Sequence, residues 1–212
     1  AGVRGFVVPA VDRASCDAVL ALAAARADVC PALGVKPLYV MQAREDDLER
    51  LDELLAERAA RAVGEIGLDH FAVEVDRERQ LRFFIAQLGL ARRHGLPVIL
   101  HSCGMVESLV PGLIEAGIDM LQAMEVKAGM DLVRLNKQFG DRIGFMGNID
   151  IREIASNDRR RIDAELRRKI EPLMATRTPF VLSSDHSTPP DVDYATFLYF
   201  RDRGLEIARY GG

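Results

Sequence analysis

The chain has 212 residues, enough for one domain with a large core but short of the roughly 250 residues of a complete eight-unit β/α barrel. With 28 basic against 32 acidic side chains it carries a formal net charge of −4, the charges are dispersed, and no basic stripe marks a dedicated nucleic-acid surface. No apolar run reaches bilayer length and the first residues lack the charged-then-apolar order of a signal peptide, so a soluble cytoplasmic protein without a membrane partner is expected.

The run Arg4 to Val11 is rich in β-formers, and Asp12 behind it is placed to cap a helix carrying Val19, Leu20 and Leu22. Cys30 to Val35 reads as a second strand, followed by a loop with Pro37 and a helix over about 45–60 with leucines at 48, 51, 54 and 55. Ala62 to Asp69 is a third strand. Asp76 opens the most periodic helix of the chain, with Leu81, Phe84, Ile85, Leu88 and Ala91 expected on its buried stripe and His94-Gly95 at its end. Gly95 to Gly104 contains a short apolar run that ends on His101 and Cys103 and reads as a strand buried on both faces.

Beyond it, a helix over about 108–116 closes on Gly117, and Gly117 to Met124 is the fifth strand, with Glu125 and Lys127 at its exit. A helix over about 131–139 leads to a sixth strand, Arg142 to Ile149, ending near Asn148 and Asp150. A charged helix over about 158–174, a seventh strand from Thr178 to Asp185 and a last helix to about Gly204 complete the pattern. Strands recur at roughly thirty-residue intervals with helices between them, the rhythm of right-handed βαβ units. No linker breaks the composition, so a single domain over 1–212 is expected.

Three cysteines, Cys16, Cys30 and Cys103, sit at unrelated spacings and form neither a disulfide framework nor a CxxC zinc pair. Cys16 and Cys30 read as buried small hydrophobes. The polar residues gather at strand ends: Asp12, Lys36, Glu65 with Asp69, His101 with Cys103, Glu125 with Lys127, Asn148 with Asp150, and Asp185 with His186. In a parallel sheet these emerge on one rim, where carboxylates, an imidazole and a thiolate can hold a divalent metal, zinc being favoured by His and Cys ligands. The same residues can instead cap helices and orient loops. Glu65, flanked by Gly64 and Gly67 inside an apolar run, is costly to bury without a cation or donors and is the strongest candidate. Glu65, His101 and Asp185 are the candidate catalytic residues, and with Cys103 the candidate metal ligands. His70 is a weaker candidate, and His94, at a helix C-terminus, suits a structural role.

Ordered motifs carry two resemblances. Gly5-Phe-Val-Val-Pro-Ala-Val-Asp12, Ala32-Leu-Gly-Val-Lys-Pro37, Val63-Gly-Glu-Ile-Gly-Leu-Asp69, the run from Arg77 and Leu-Pro-Val-Ile-Leu-His101 resemble the TatD family of metal-dependent hydrolases, TatD-type deoxyribonucleases, from about residue 3 to 101. That resemblance implies a metal-bridging role for Glu65 and a ligand role for His101. The His-x-His strand of the family is absent from these residues, and Lys36 stands where the family usually has histidine.

From about residue 96 onward, His101-Ser-Cys-Gly104, Leu113 to Asp119, Glu125-Val-Lys-Ala-Gly-Met-Asp131, Met146-Gly-Asn-Ile-Asp150 and Ser183-Ser-Asp-His-Ser187 resemble the uroporphyrinogen decarboxylase superfamily. In its methyltransferase branch a His-x-Cys pair and a later cysteine bind zinc; here no cysteine follows Cys103. Both families are (β/α)8 barrels, so the fold expected is an α/β, TIM-type parallel barrel of seven strands, a chimera joined at the fifth barrel position.

Three functions remain open. One is a metal-dependent hydrolase of phosphoester or other small-molecule substrates, with the divalent metal held weakly or in part. Another is a zinc-thiolate or decarboxylase-like protein using His101, Cys103, Glu125 and Asp185. The last is a non-catalytic chimeric or engineered scaffold. A seven-strand barrel would leave strand edges open, which a second copy of the chain could cover.

Overall fold

The computed structural model describes residues 4–57, 60–69 and 76–209. Among the described residues seven strands alternate with helices and every strand pairing is parallel; the chain divides into two compact units, 1–98 and 99–212. The division falls inside the apolar run ending on His101. His70 lies outside the described residues.

In the first unit β1 (Phe6–Pro9), β2 (Val29–Leu33) and β3 (Ala62–Val63) form a sheet in sequence order, linked by α1 (Arg13–Ala25) and α2 (Asp46–Ala56), with α3 (Arg77–Arg93) after β3. Asp12 caps α1 as expected: its carboxylate accepts from the Ser15 backbone N–H, and the Ser15 hydroxyl accepts from the Asp12 N–H in return, so two otherwise orphaned donors are satisfied. Asp76 caps α3 by accepting from Arg79 N–H.

The buried face of α3 is not the expected stripe. Gln80, Phe83, Gln87, Leu90 and Ala91 are buried, whereas Leu81 and Ile85 face outward. The reason is the backbone that β2 leaves behind. Gln87 accepts from Val35 N–H at 2.7 Å and donates to Val35 C=O at 3.2 Å, while Gln80 donates to Pro37 C=O at 3.1 Å and accepts from Asp69 N–H at 3.0 Å. Buried amides satisfy loop groups that leucines would leave unpaired. Phe83, packed on Val35 and Val40, supplies the apolar part, roughly 1.5–3 kcal/mol for a side chain of its kind.

Cys30 also departs from expectation. It is exposed, in register with Val7 of β1, which is exposed as well, whereas Cys16 on α1 is buried as expected.

In the second unit β4 (Ile99–Ser102), β5 (Met120–Ala123), β6 (Gly144–Gly147) and β7 (Phe180–Val181) again pair in sequence order. Between them lie α4 (Val110–Ala116), α5 (Leu132–Phe139), and the pair α6 (Ile151–Ala155) and α7 (Arg159–Thr176); α8 (Tyr194–Ile207) follows β7. The expected burial of β4 on both faces is overturned: among the described residues it pairs with β5 at the edge of this sheet, and Ile99 and His101 are exposed. Gly117, at φ 86°, ends α4 in the left-handed conformation the sequence calls for. Ile149, Ile154, Ile162, Leu166, Ile170 and Phe200 form the core under α7 and α8. Among the described residues no helix is long and apolar enough to cross a membrane.

Candidate active site at the strand ends

Glu65 does not sit inside a buried strand. β3 stops at Val63; Gly64 N–H still donates to Leu33 C=O and Glu65 N–H to Ala10 C=O, but the Glu65 side chain is 49% exposed and meets Lys36 Nζ at 3.2 Å. The charge therefore needs no metal to be tolerated, because water and an ammonium already stabilise it. Asp69 lies in the loop that follows, its N–H donating to Gln80. Both belong to the first unit; the remaining candidates belong to the second.

There, His101, Cys103, Asp185 and His186 share a cleft of about 630 Å³, with Gln122, the hydroxyls of the 183–188 loop, and Phe197, Phe200 and Arg201 of α8. β4 and β5 run in register so that His101 lies beside Gln122, whose Oε1 is 3.1 Å from His101 Nδ1. With Nδ1 donating to that amide oxygen, Nε2 is left as the free lone pair, and Cys103 Sγ is 3.7 Å from it. Tetrahedral zinc holding one nitrogen and one sulfur brings them to about 3.5 Å. The pair thus fits two corners of such a site.

The other candidates are occupied. Asp185, 3% exposed, gives Oδ2 to Val126 N–H at 3.0 Å and Oδ1 to Ile151 N–H at 2.9 Å, tying the β5 exit to the start of α6. Glu125 accepts from Gly104 N–H at 3.0 Å and meets His186 Nε2 at 3.1 Å; that backbone donor, and then His186, hold its carboxyl below the usual range. It fixes the loop beyond Cys103. Lys127 is exposed.

Asn148, fully buried at φ 63°, accepts from Leu132 N–H and from Lys169 Nζ and donates to the carbonyls of Met124 and Met130. Asp150 caps α6; burial raises its carboxyl, but the Arg152 guanidinium and backbone N–H outweigh that and hold it low. Both are loop anchors. His94 is structural as expected, with Nε2 2.6 Å from Asp52 Oδ1. Among the described residues no three or more His, Cys, Asp or Glu are grouped to hold a metal ion, so the donors present do not complete a metal site.

Sequence reasoning missed Gln122 and the α8 contribution. Gln122 was within reach of it, since aligning the fourth and fifth strands in register places it opposite His101. Arg201 carries no local signal. Lys169, 1% exposed between Asn148 and Glu165, was not singled out within the charged helix.

Seven parallel strands alternating with helices, and polar groups at the strand ends, define an α/β protein of the TIM-barrel class. The chain belongs to the TatD related DNase family, which it matches over residues 1–128, and it also matches the uroporphyrinogen decarboxylase (URO-D) family over residues 81–203. It is similar to the uncharacterized metal-dependent hydrolase YjjV of Escherichia coli K12, with 43% identity over 104 residues, 48% of this chain and 40% of that protein. The 3'-5' ssDNA/RNA exonuclease TatD of Edwardsiella piscicida is 36% identical over 102 residues, 48% of this chain and 39% of that protein. The chain spans about half the length of the curated relatives it matches. The crystal structure of YjjV, a TatD homolog from E. coli K12, superposes with a TM-score of 0.64 at 25% identity, covering 98% of this chain and 83% of that one.

Proposed function

We propose that the chain is a TatD-type metal-dependent hydrolase in lineage, directed at phosphoester bonds, with an incomplete active site and a C-terminal part of uroporphyrinogen decarboxylase descent. The observation that carries the reading is the convergence of His101 Nε2 and Cys103 Sγ at 3.7 Å in the cleft of a chain whose first 128 residues match the TatD family. A chimera accounts for the two matches overlapping at 81–128 and for the unit boundary falling within that overlap. His101 and Cys103 would hold a divalent metal at two positions, leaving the rest to water, which makes the ion weakly held and readily stripped. Its water-activating chemistry is what the family would supply.

The test is metal analysis of protein purified without added metal, together with cleavage of a single-stranded oligonucleotide with and without chelator. Substoichiometric, strippable metal that is lost in His101→Ala, with slow chelator-sensitive cleavage, is expected. Stoichiometric metal that resists chelation and is unchanged in His101→Ala refutes the proposal, as does no uptake after zinc soaking. The near-tetrahedral spacing of nitrogen and sulfur favours one second reading, a zinc-thiolate protein of the decarboxylase-like superfamily. It predicts metal-dependent protection of Cys103 from alkylation with no cleavage at all.

A further inference from the structure

Strands β4 and β5 run parallel with His101 and Gln122 as Cα partners, so the two side chains leave the same face of the sheet side by side, and both line the cleft. His101 Nδ1 lies 3.1 Å from Gln122 Oε1, and His101 Nε2 lies 3.7 Å from Cys103 Sγ. A neutral imidazole carries one proton, and the bond made by one ring nitrogen decides what the other presents. The side chain on Nδ1 therefore controls what Cys103 meets.

That side chain is an amide, which offers an acceptor and a donor in nearly the same shape. A carboxylate in its place could only accept, and would hold the proton on Nδ1. Among the described residues the Gln122 amide is held by His101 alone. Its in-register neighbour on the other side is Met146 of β6, whose thioether is at most a weak acceptor, so nothing there binds the amide to one orientation.

We infer that Gln122 is the positioning residue of the His101–Cys103 pair, its amide switching the imidazole between two tautomers. With Oε1 toward His101, as in the structure, the proton sits on Nδ1, and the Nε2 lone pair and Cys103 Sγ converge. With the amide turned over, its NH2 donates to Nδ1, the proton sits on Nε2 facing Sγ across a distance that an N–H···S bond spans, and the pair is closed. The exchange moves no net charge. Its bearing on metal rests on the reading of His101 and Cys103 as ligands: an ion binds the first state alone, so its apparent affinity falls as the second state is populated.

Long-range nitrogen–proton NMR of the metal-free protein tests this, with histidine nitrogens labelled, alkaline pH to keep imidazoles neutral, and the His101 signals assigned by their loss in His101→Ala. Wild type is expected to show averaged Nδ1 and Nε2 shifts. Gln122→Glu should fix the proton on Nδ1, and Gln122→Met should move it toward Nε2, where Cys103 Sγ remains to accept it. Zinc titration should follow the same order, Gln122→Glu about tenfold tighter than wild type and Gln122→Met about tenfold weaker. Because an added carboxylate also attracts a cation by charge, the tautomer is the deciding readout. Identical His101 shifts in all three proteins overturn the inference, as does a wild type already locked on one nitrogen. Tautomers that follow Gln122 in a protein that takes up no zinc uphold the positioning role and refute the metal reading instead.

Discussion

Replacing Asp185 by alanine separates a loop clamp from a metal ligand. The carboxylate is the acceptor for two backbone donors, Val126 N–H at 3.0 Å and Ile151 N–H at 2.9 Å, in part-buried surroundings. A buried donor left without an acceptor costs about 1–3 kcal/mol; partial burial places each of these in the lower half, so Asp185→Ala should cost about 2–4 kcal/mol. Asp185→Asn keeps the shape and one acceptor but turns an NH2 against the other N–H, and should cost about half as much. With a urea m-value of about 2 kcal/mol/M, the alanine variant unfolds about 1–2 M earlier, with or without chelator. A midpoint moved by less than about 0.25 M, accompanied by lost zinc uptake, would refute the clamp and make Asp185 a ligand.

Lys169→Met should lie within about 1 kcal/mol of wild type, because Asn148 keeps Leu132 N–H and Glu165 keeps Asp150 N–H at 3.2 Å; Lys169→Ala should cost about 2–4 kcal/mol by opening a cavity, both read by urea unfolding. Burial, helped by the like charge of Arg168, pushes the Lys169 ammonium below 10.5 against the opposing pull of Glu165, Asp131 and Asp150. Between the folded value and 10.5 the unfolded chain binds the extra proton, so wild-type stability should rise with pH there relative to Lys169→Met; a flat difference would contradict it. Asp12→Ala removes the capping box of α1 and should cost about 1 kcal/mol. The Ser15 hydrogen bonds hold Asp12 below 3.8, so that difference is complete above pH 3.8 and fades as pH falls through the folded value, as stability curves at several pH values would show. Native protein should react with a thiol reagent at Cys30 and Cys103 but not at Cys16 until unfolded, and zinc should protect Cys103 alone.

The alternation of strands and helices was legible because the chain punctuates itself with caps: Asp12, Asp76, Asp131 and Asp158 each accept from a first-turn N–H, as their position before a periodic run implies. Chemistry at the strand ends was legible as residue type but not as role. An aspartate before a helix and an aspartate awaiting a metal look alike in sequence; Asp150 and Asp185 are told apart from free ligands only by the N–H groups that come to them. Glu65 misled for a related reason, since the glycines around it signalled a buried strand where the chain was in fact leaving the sheet beside Lys36. On α3, two buried glutamines were invisible to an apolar periodicity count, which chose the outward leucine and isoleucine instead.

The order of strands in each sheet is the order of synthesis: β1-β2-β3, then β4-β5-β6-β7. Within each sheet every strand after the first can therefore dock on the one made just before it, closing only the intervening helical segment and waiting for nothing downstream. The described strands of the first sheet end at Val63, and those of the second begin at Ile99. Short loops to close and sequential docking favour rapid, vectorial folding during translation. The same order would let a gene joined near β4 still deliver each half as a nucleus able to form on its own time.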